Sequence, residues 1–149
     1  MDQINKAIEV LNNDGIILYP SDTVWGLGCK SNNENVIQKL YDIKKRVIKK
    51  KFILLLADDR QLNKYIKEVP EIAWDILDYS INQPTIIYPN AYNLSKLLIA
   101  DDGSIAVRIA ELDYLQQIIK MIETPLISTS ANVSGEKTPT SLQEVSNEI

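Results

Sequence analysis

The sequence predicts one α/β or α+β domain, a mixed β-sheet with helices packed on it. Three observations carry this. Apolar runs of strand length alternate with amphipathic helical stripes along the whole chain. Glycine, proline and asparagine mark the boundaries between them. The 149 residues show no repeat, low-complexity tract or linker, and that length suits one domain with a real core.

Asp2 can cap a first helix whose apolar face is Ile4, Ala7, Ile8 and Leu11, ended by Asn13-Asp14-Gly15. Residues 15–19 read as a buried strand closed by Pro20, and residues 23–27 as a second extended piece. Gly26 and Gly28 let the backbone turn there or come close to a ligand. Asn32 or Asn33 caps the next helix, with Val36, Ile37, Leu40 and Tyr41 as its stripe. Residues 52–57 form an apolar strand. Asp58 or Asp59 then caps a short helix bearing Leu62, Tyr65 and Ile66. Pro70 suits the start of another helix, with Ile72, Ala73, Ile76 and Leu77 predicted inward. Residues 84–88 read as a strand stopped by Pro89, and residues 90–100 as a loop with one helical turn. Residues 104–109 form a strand. Leu112, Leu115, Ile118, Ile119 and Ile122 mark an amphipathic helix. Residues 126–129 make a last short strand. Ser141-Leu-Gln-Glu144 is a capping-box pattern that predicts a final helix.

Composition excludes several chemistries. The chain has no histidine, which removes Ser-His-Asp and Cys-His catalysis, an imidazole base and histidine-ligated zinc. Its single cysteine, Cys29, permits no intrachain disulfide and no thiolate zinc cluster. An enzyme built this way works by positioning and electrostatics, with any Mg²⁺ brought in on a phosphate. No apolar run approaches the roughly 20 residues of a membrane span, and the N-terminus lacks a signal-peptide pattern. A cytoplasmic location is expected. The net charge of −4 argues against nucleic-acid binding through a broad basic surface. Yet six of the eight residues from Lys44 to Lys51 are basic, a local patch in an acidic protein.

Four constellations could carry chemistry, and each has a structural alternative. Tyr19-Pro-Ser-Asp-Thr-Val-Trp-Gly-Leu-Gly28 offers hydroxyls and a carboxylate after a strand, but is also good hairpin chemistry. Lys44, Arg46 and Lys50 could clamp phosphates, or complement a helix dipole on a solvated turn. Between Ser128 and Thr140 lie six hydroxyls and the amide of Asn132, suited to an amino acid, a ribose or phosphates, or else to a polar loop. Arg108 sits in the apolar strand Ile105-Ala-Val-Arg-Ile109, where alternation sets it opposite Ile105, Val107 and Ile109. If buried it needs an anionic partner or ligand; on an edge strand it would face solvent.

Taken together, the four segments resemble the threonylcarbamoyl-AMP synthase family, also called YrdC-like or TsaC. Tyr19 to Gly28, Lys44 to Phe52, Val107 to Ala110 and Ser128 to Gly135 follow its motifs in order. Ser21, Trp25, Val47, Lys51 and Ala110 depart from it. The resemblance implies a YrdC-like open, twisted, mixed sheet with a large, positively charged central cavity. It implies a single domain over residues 1–149, short at its C-terminus. It also implies a nucleotidyltransferase that makes L-threonylcarbamoyl-AMP and pyrophosphate from L-threonine, bicarbonate or CO₂, and ATP. Mg²⁺ would be carried by the ATP. Downstream proteins would pass the threonylcarbamoyl group to tRNA.

Carried over by position, Lys44, Arg46 and Lys50 would be catalytic. Thr23, Arg108, Ser128 and Ser130 would bind threonine. Arg46, Lys50, Ser104, Asn132 and Thr140 would bind the nucleotide. No protein-held metal is implied. The alternative is a shortened YrdC-like module that binds nucleotide or double-stranded RNA without turnover.

Overall fold

The computed structural model describes residues 2–21, 24–47 and 50–149. Its helices are α1 (Asp2–Asn12), α2 (Glu34–Lys44), α3 (Glu71–Tyr79) and α4 (Asp113–Ile122). Its strands are β1 (Ile17–Pro20), β2 (Trp25–Lys30), β3 (Ile53–Leu56), β4 (Ile86–Tyr88), β5 (Ile105–Ile109) and β6 (Leu126–Ser130). They form one six-stranded sheet in the order β1-β2-β6-β3-β5-β4. Only β3 and β5 run parallel; every other neighbouring pair is antiparallel. The expected open mixed sheet with helices is therefore present.

Helices cover both faces. On one, Leu11 of α1 and Leu115, Ile118, Ile119 and Ile122 of α4 pack with Ile17, Leu55 and Leu126. On the other, α2, α3 and a 3-10 turn at residues 59–64 pack on Leu54, Leu56, Val107 and Ile127. Asn33 caps α2 by accepting from the Asn35 and Val36 amides at 2.9 and 3.4 Å. The 3-10 turn is capped by Asp58. Among the described residues, no helix is long and apolar enough to cross a membrane.

Two local expectations are corrected. In α3 only Ala73 and Leu77 are buried, while Ile72 is 67% and Ile76 38% exposed. The helix turns Ala73 and Leu77 inward with Trp74 half-buried against the same core, which leaves Ile72 and Ile76 toward solvent. Residues 90–100 form one bridge, Ile66 to Ala91, and the expected loop with a single turn, in which the Leu98 and Ile99 amides donate to the Ser95 and Lys96 carbonyls at 3.0 and 3.4 Å. Asn90 and Asn93 hold left-handed backbone ahead of it, so no longer helix forms. The last predicted helix is a single 3-10 turn, residues 142–144, and Ser141 makes no capping bond. The Glu144 carboxylate instead accepts from the backbone amide and hydroxyl of Thr140 at 2.8 and 3.1 Å.

Candidate active site on the open end of the sheet

Residues directly opposite one another across neighbouring strands share a face of the sheet. The register therefore links Tyr19 to Gly26 and Ser130, Gly28 to Ser128 and Ile53, and Leu55 to Arg108. All of these lie on the face that carries α1 and α4. A cavity of about 320 Å³ opens there, lined among others by Tyr19, Arg46, Arg108, Glu111, Ser128 and Ser130. Three cations, Arg46, Lys51 and Arg108, stand against the single carboxylate of Glu111 among the described lining residues. That balance suits an anionic ligand.

Arg46 reaches the cavity from the opposite face. α2 ends at Lys45, whose left-handed backbone (φ 51°) lets the Arg46 amide bond back to Tyr41 at 3.0 Å. The chain then turns sharply out of the helix. β3 begins at Ile53, opposite Ser128, while β6 runs on through Thr129 and Ser130 without β3 beside it. The guanidinium bridges that gap. Its Nε donates to the Lys50 carbonyl at 2.7 Å, Nη2 to the Lys51 carbonyl at 3.2 Å, and Nη1 to Thr129 Oγ1 at 3.2 Å. It also lies 5.1 Å from the Phe52 ring centroid. Two of its five N–H donors hold the loop and one holds Thr129 of β6, and the rest can meet a ligand.

Lys44 is 1% exposed and stands behind the cavity wall rather than in it. Its ammonium donates to the Ser130 carbonyl at 2.6 Å, and to Ser130 Oγ and Asn132 Oδ1 at 3.4 Å each. Ser130 Oγ also donates to Asn132 Oδ1. The Asn132 amide is spent on the carbonyls of Val133 and Glu136. The cluster fixes the end of β6. Burial, helped by the charge of Arg46, lowers the Lys44 pKa to about 8.

Arg108 lies where strand alternation set it, on the cavity side of β5, with Ile105, Val107 and Ile109 buried behind it. Glu111 Oε2 is 3.9 Å from its Nη2, and Glu111 also accepts from the Gln83 amide. The structure thus brings Arg46, Arg108, Ser128 and Ser130 to one cavity. Thr23 lies outside the described residues. The Lys50 side chain is exposed, and what Lys50 supplies to the site is its carbonyl, held by Arg46. Ser104 does not line the cavity; its hydroxyl donates to Asp102 at 2.6 Å. It precedes Arg108 by four strand residues, roughly 13 Å along β5. Asn132 and Thr140 do not line the cavity either, being bonded to the Lys44 cluster and to Glu144.

Sequence reasoning named no role for Tyr19, Lys51, Glu111 or Thr129. Strand alternation alone could not show that the chain preceding Phe52 leaves room for Arg46 beside Thr129. The glycines at 26 and 28 were a signal for close approach, and the structure shows what approaches. A Cβ at Gly26 would lie 2.9 Å from Tyr19 Cζ.

An open mixed sheet with this cation-lined cavity places the chain in the Sua5/YciO/YrdC family, described as "Telomere recombination". Residues 9–149 match that family, and the chain belongs to it. It is 37% identical over 146 residues to the threonylcarbamoyl-AMP synthase of Psychromonas ingrahamii, covering 96% of this chain and 76% of that protein. It is 34% identical over 149 residues to the threonylcarbamoyl-AMP synthase of Pseudoalteromonas translucida, covering 98% of this chain and 80% of that one. The solved structure of P. abyssi Sua5 complexed with L-threonine matches with a TM-score of 0.88 at 27% identity, over 96% of this chain and 42% of that one.

Proposed function

We propose that the protein is an L-threonylcarbamoyl-AMP synthase, a nucleotidyltransferase acting on L-threonine, bicarbonate or CO₂, and ATP. The observation that carries the reading is the convergence of Arg46, Arg108, Ser128 and Ser130 on one cavity. The two synthases to which the chain is similar support it over a binding module without turnover.

In this reading the neutral threonine amine attacks CO₂, and loss of one N–H proton to solvent gives a carbamate. A carbamate oxygen then attacks the α-phosphorus of ATP, and pyrophosphate leaves. No histidine is needed, because the amine is itself the nucleophile and the protein orients reactants and offsets charge. Arg108 pairs with the threonine carboxylate, and the hydroxyls of Ser128 and Ser130 donate beside it. Arg46 places its remaining donors on phosphate oxygens, where a planar fork suits the geometry. Lys44 acts through Ser130 and Asn132, as a brace. Ser104, Asn132 and Thr140 would serve the nucleotide only through a rearrangement of their present bonds, Lys50 would reach it by turning its exposed side chain inward, and Thr23 keeps its proposed threonine contact.

Among the described residues no group of acidic or cysteine side chains could cage a metal. Mg²⁺ therefore suits this site as an ion carried on the ATP phosphates. The product would be consumed in the cytoplasm by proteins that transfer the threonylcarbamoyl group to tRNA. The test is to incubate the protein with ATP, threonine and bicarbonate. Threonine-dependent pyrophosphate release is expected, and its absence rejects the reading.

A further inference from the structure

Tyr19 has a seat built for it. Neither Gly26 nor Gly28 has a positive φ, so the backbone does not require glycine at either position. The space above them does. A Cβ at Gly26 would sit 2.9 Å from Tyr19 Cζ and 3.0 Å from its hydroxyl; one at Gly28 would sit 3.2 Å from Cε1. The ring thus lies across β2, filling the room that two missing side chains leave. At the far side of β2 its hydroxyl shares a hydrogen bond with Ser128 Oγ. Tyr19 and Ser128 both line the cavity, with Arg108 close enough for its charge to act on the phenol.

We propose that Tyr19 is a positioning residue that aims the Ser128 hydroxyl at the anionic group of the substrate. A serine hydroxyl has one proton and rotates to suit its neighbours. A phenol is a stronger acid than an aliphatic alcohol, so Tyr19 donates and Ser128 accepts. Burial raises the phenol's pKa above its ordinary value, and the Arg108 charge opposes that rise, but a phenol remains a far stronger acid than an alcohol. Ser128 then keeps its own proton for an oxygen in the cavity, and its rotor is fixed before the ligand arrives. Preorganised donors of this kind contribute more than free ones, since little reorganisation remains. The inference rests on the synthase reading, in which the oxygen belongs to the threonine carboxylate or carbamate.

The experiment compares the parent protein with Tyr19→Phe, Ser128→Ala, the double variant and Gly26→Ala. Pyrophosphate release yields kcat and the KM values for threonine and ATP, and calorimetry yields threonine affinity. Tyr19→Phe keeps the ring in its seat and should raise the threonine KM about tenfold, the scale of one hydrogen bond to a charged group, leaving the ATP KM unchanged. The double variant should be no worse than Ser128→Ala, because the phenol acts only through that serine. Gly26→Ala should repeat the Tyr19→Phe defect by crowding the ring, and it carries the test if Tyr19→Phe does not fold. A threonine KM within twofold of the parent, equal changes in both KM values, or losses that add in the double variant would each overturn the proposal. A parent that neither binds threonine nor releases pyrophosphate instead removes the synthase reading, and this inference with it.

Discussion

Lys44 Nζ donates to the Ser130 carbonyl at 2.6 Å, tying the last turn of α2 to the end of β6. Its other partners are a hydroxyl and an amide oxygen, both neutral. A lysine satisfied in this way keeps its hydrogen bonds but gains no opposite charge, so burial dominates its titration. Two residues on, Arg46 adds a like charge. The arrangement holds β6 firmly and leaves an ammonium less basic than a free one.

A pH dependence of stability follows. The folded Lys44 pKa, lowered to about 8, lies below the ordinary value of 10.5. Below both values the folded and unfolded chains each hold the proton, and the cost of burying the charge is constant. Between them the unfolded chain binds more protons, so this group's contribution to stability rises with pH. Urea unfolding from pH 7 to 10 should show the parent gaining stability relative to Lys44→Met as pH rises. A difference that stays flat across that range contradicts the lowered pKa.

Arg46 serves both the loop and the proposed ligand. Arg46→Ala should cut pyrophosphate release by about 10²- to 10³-fold, the scale of losing a preorganised charge-stabilising donor. It should also lower stability by about 1–2 kcal/mol, since three hydrogen bonds and the contact with Phe52 go with it. Circular dichroism melting beside the activity assay separates the two effects. A variant unfolded at 25 °C would make Arg46 a structural residue.

Arg108 is expected to act mainly on threonine. Arg108→Gln keeps a hydrogen-bonding side chain and removes the charge. The threonine KM should rise about 10- to 100-fold, the range for a charge-assisted bond. The ATP KM should change far less. Equal rises in both would place Arg108 on the nucleotide instead.

Cys29 should be inert in the folded protein. It is fully buried in the core beside β6, and burial pushes its thiol pKa up to about 12. Iodoacetamide at pH 8 should label it slowly in buffer and rapidly in denaturing urea, measured by intact mass. Rapid native labelling would show that this part of the core opens.

The element pattern was largely legible because it depends on local periodicity. The faces of α1, α2 and α4 follow from spacing alone, and so does the side of β5 on which Arg108 stands. α3 was legible as a helix but not in its rotation. Its predicted inward face joined Ile72 and Ile76 to Ala73 and Leu77, and the packing took only the latter pair, with Trp74 beside them. Residues 141–144 held a valid capping pattern, yet Glu144 bonded one residue earlier, to Thr140. Residues 19–28 pair as a hairpin, and the same segment lines the cavity. The Ser21 amide closes the turn on Val24 at 3.0 Å, while Tyr19 and Gly26 face the cavity.

The sequence by itself determined the alternation of elements, the basic run after α2, the hydroxyl-rich β6 and the absence of histidine. These are properties of short stretches or of composition, and neither needs the rest of the chain. Only the tertiary structure decided which cations share a cavity. It put Arg46 and Arg108 there from opposite sides of the sheet, and set Lys44 behind the wall with Asn132. The physical reason lies in the strand order. With β6 between β2 and β3, residues far apart in sequence meet across the ladder, and the point where β6 runs on beyond the start of β3 fixes where a guanidinium can enter.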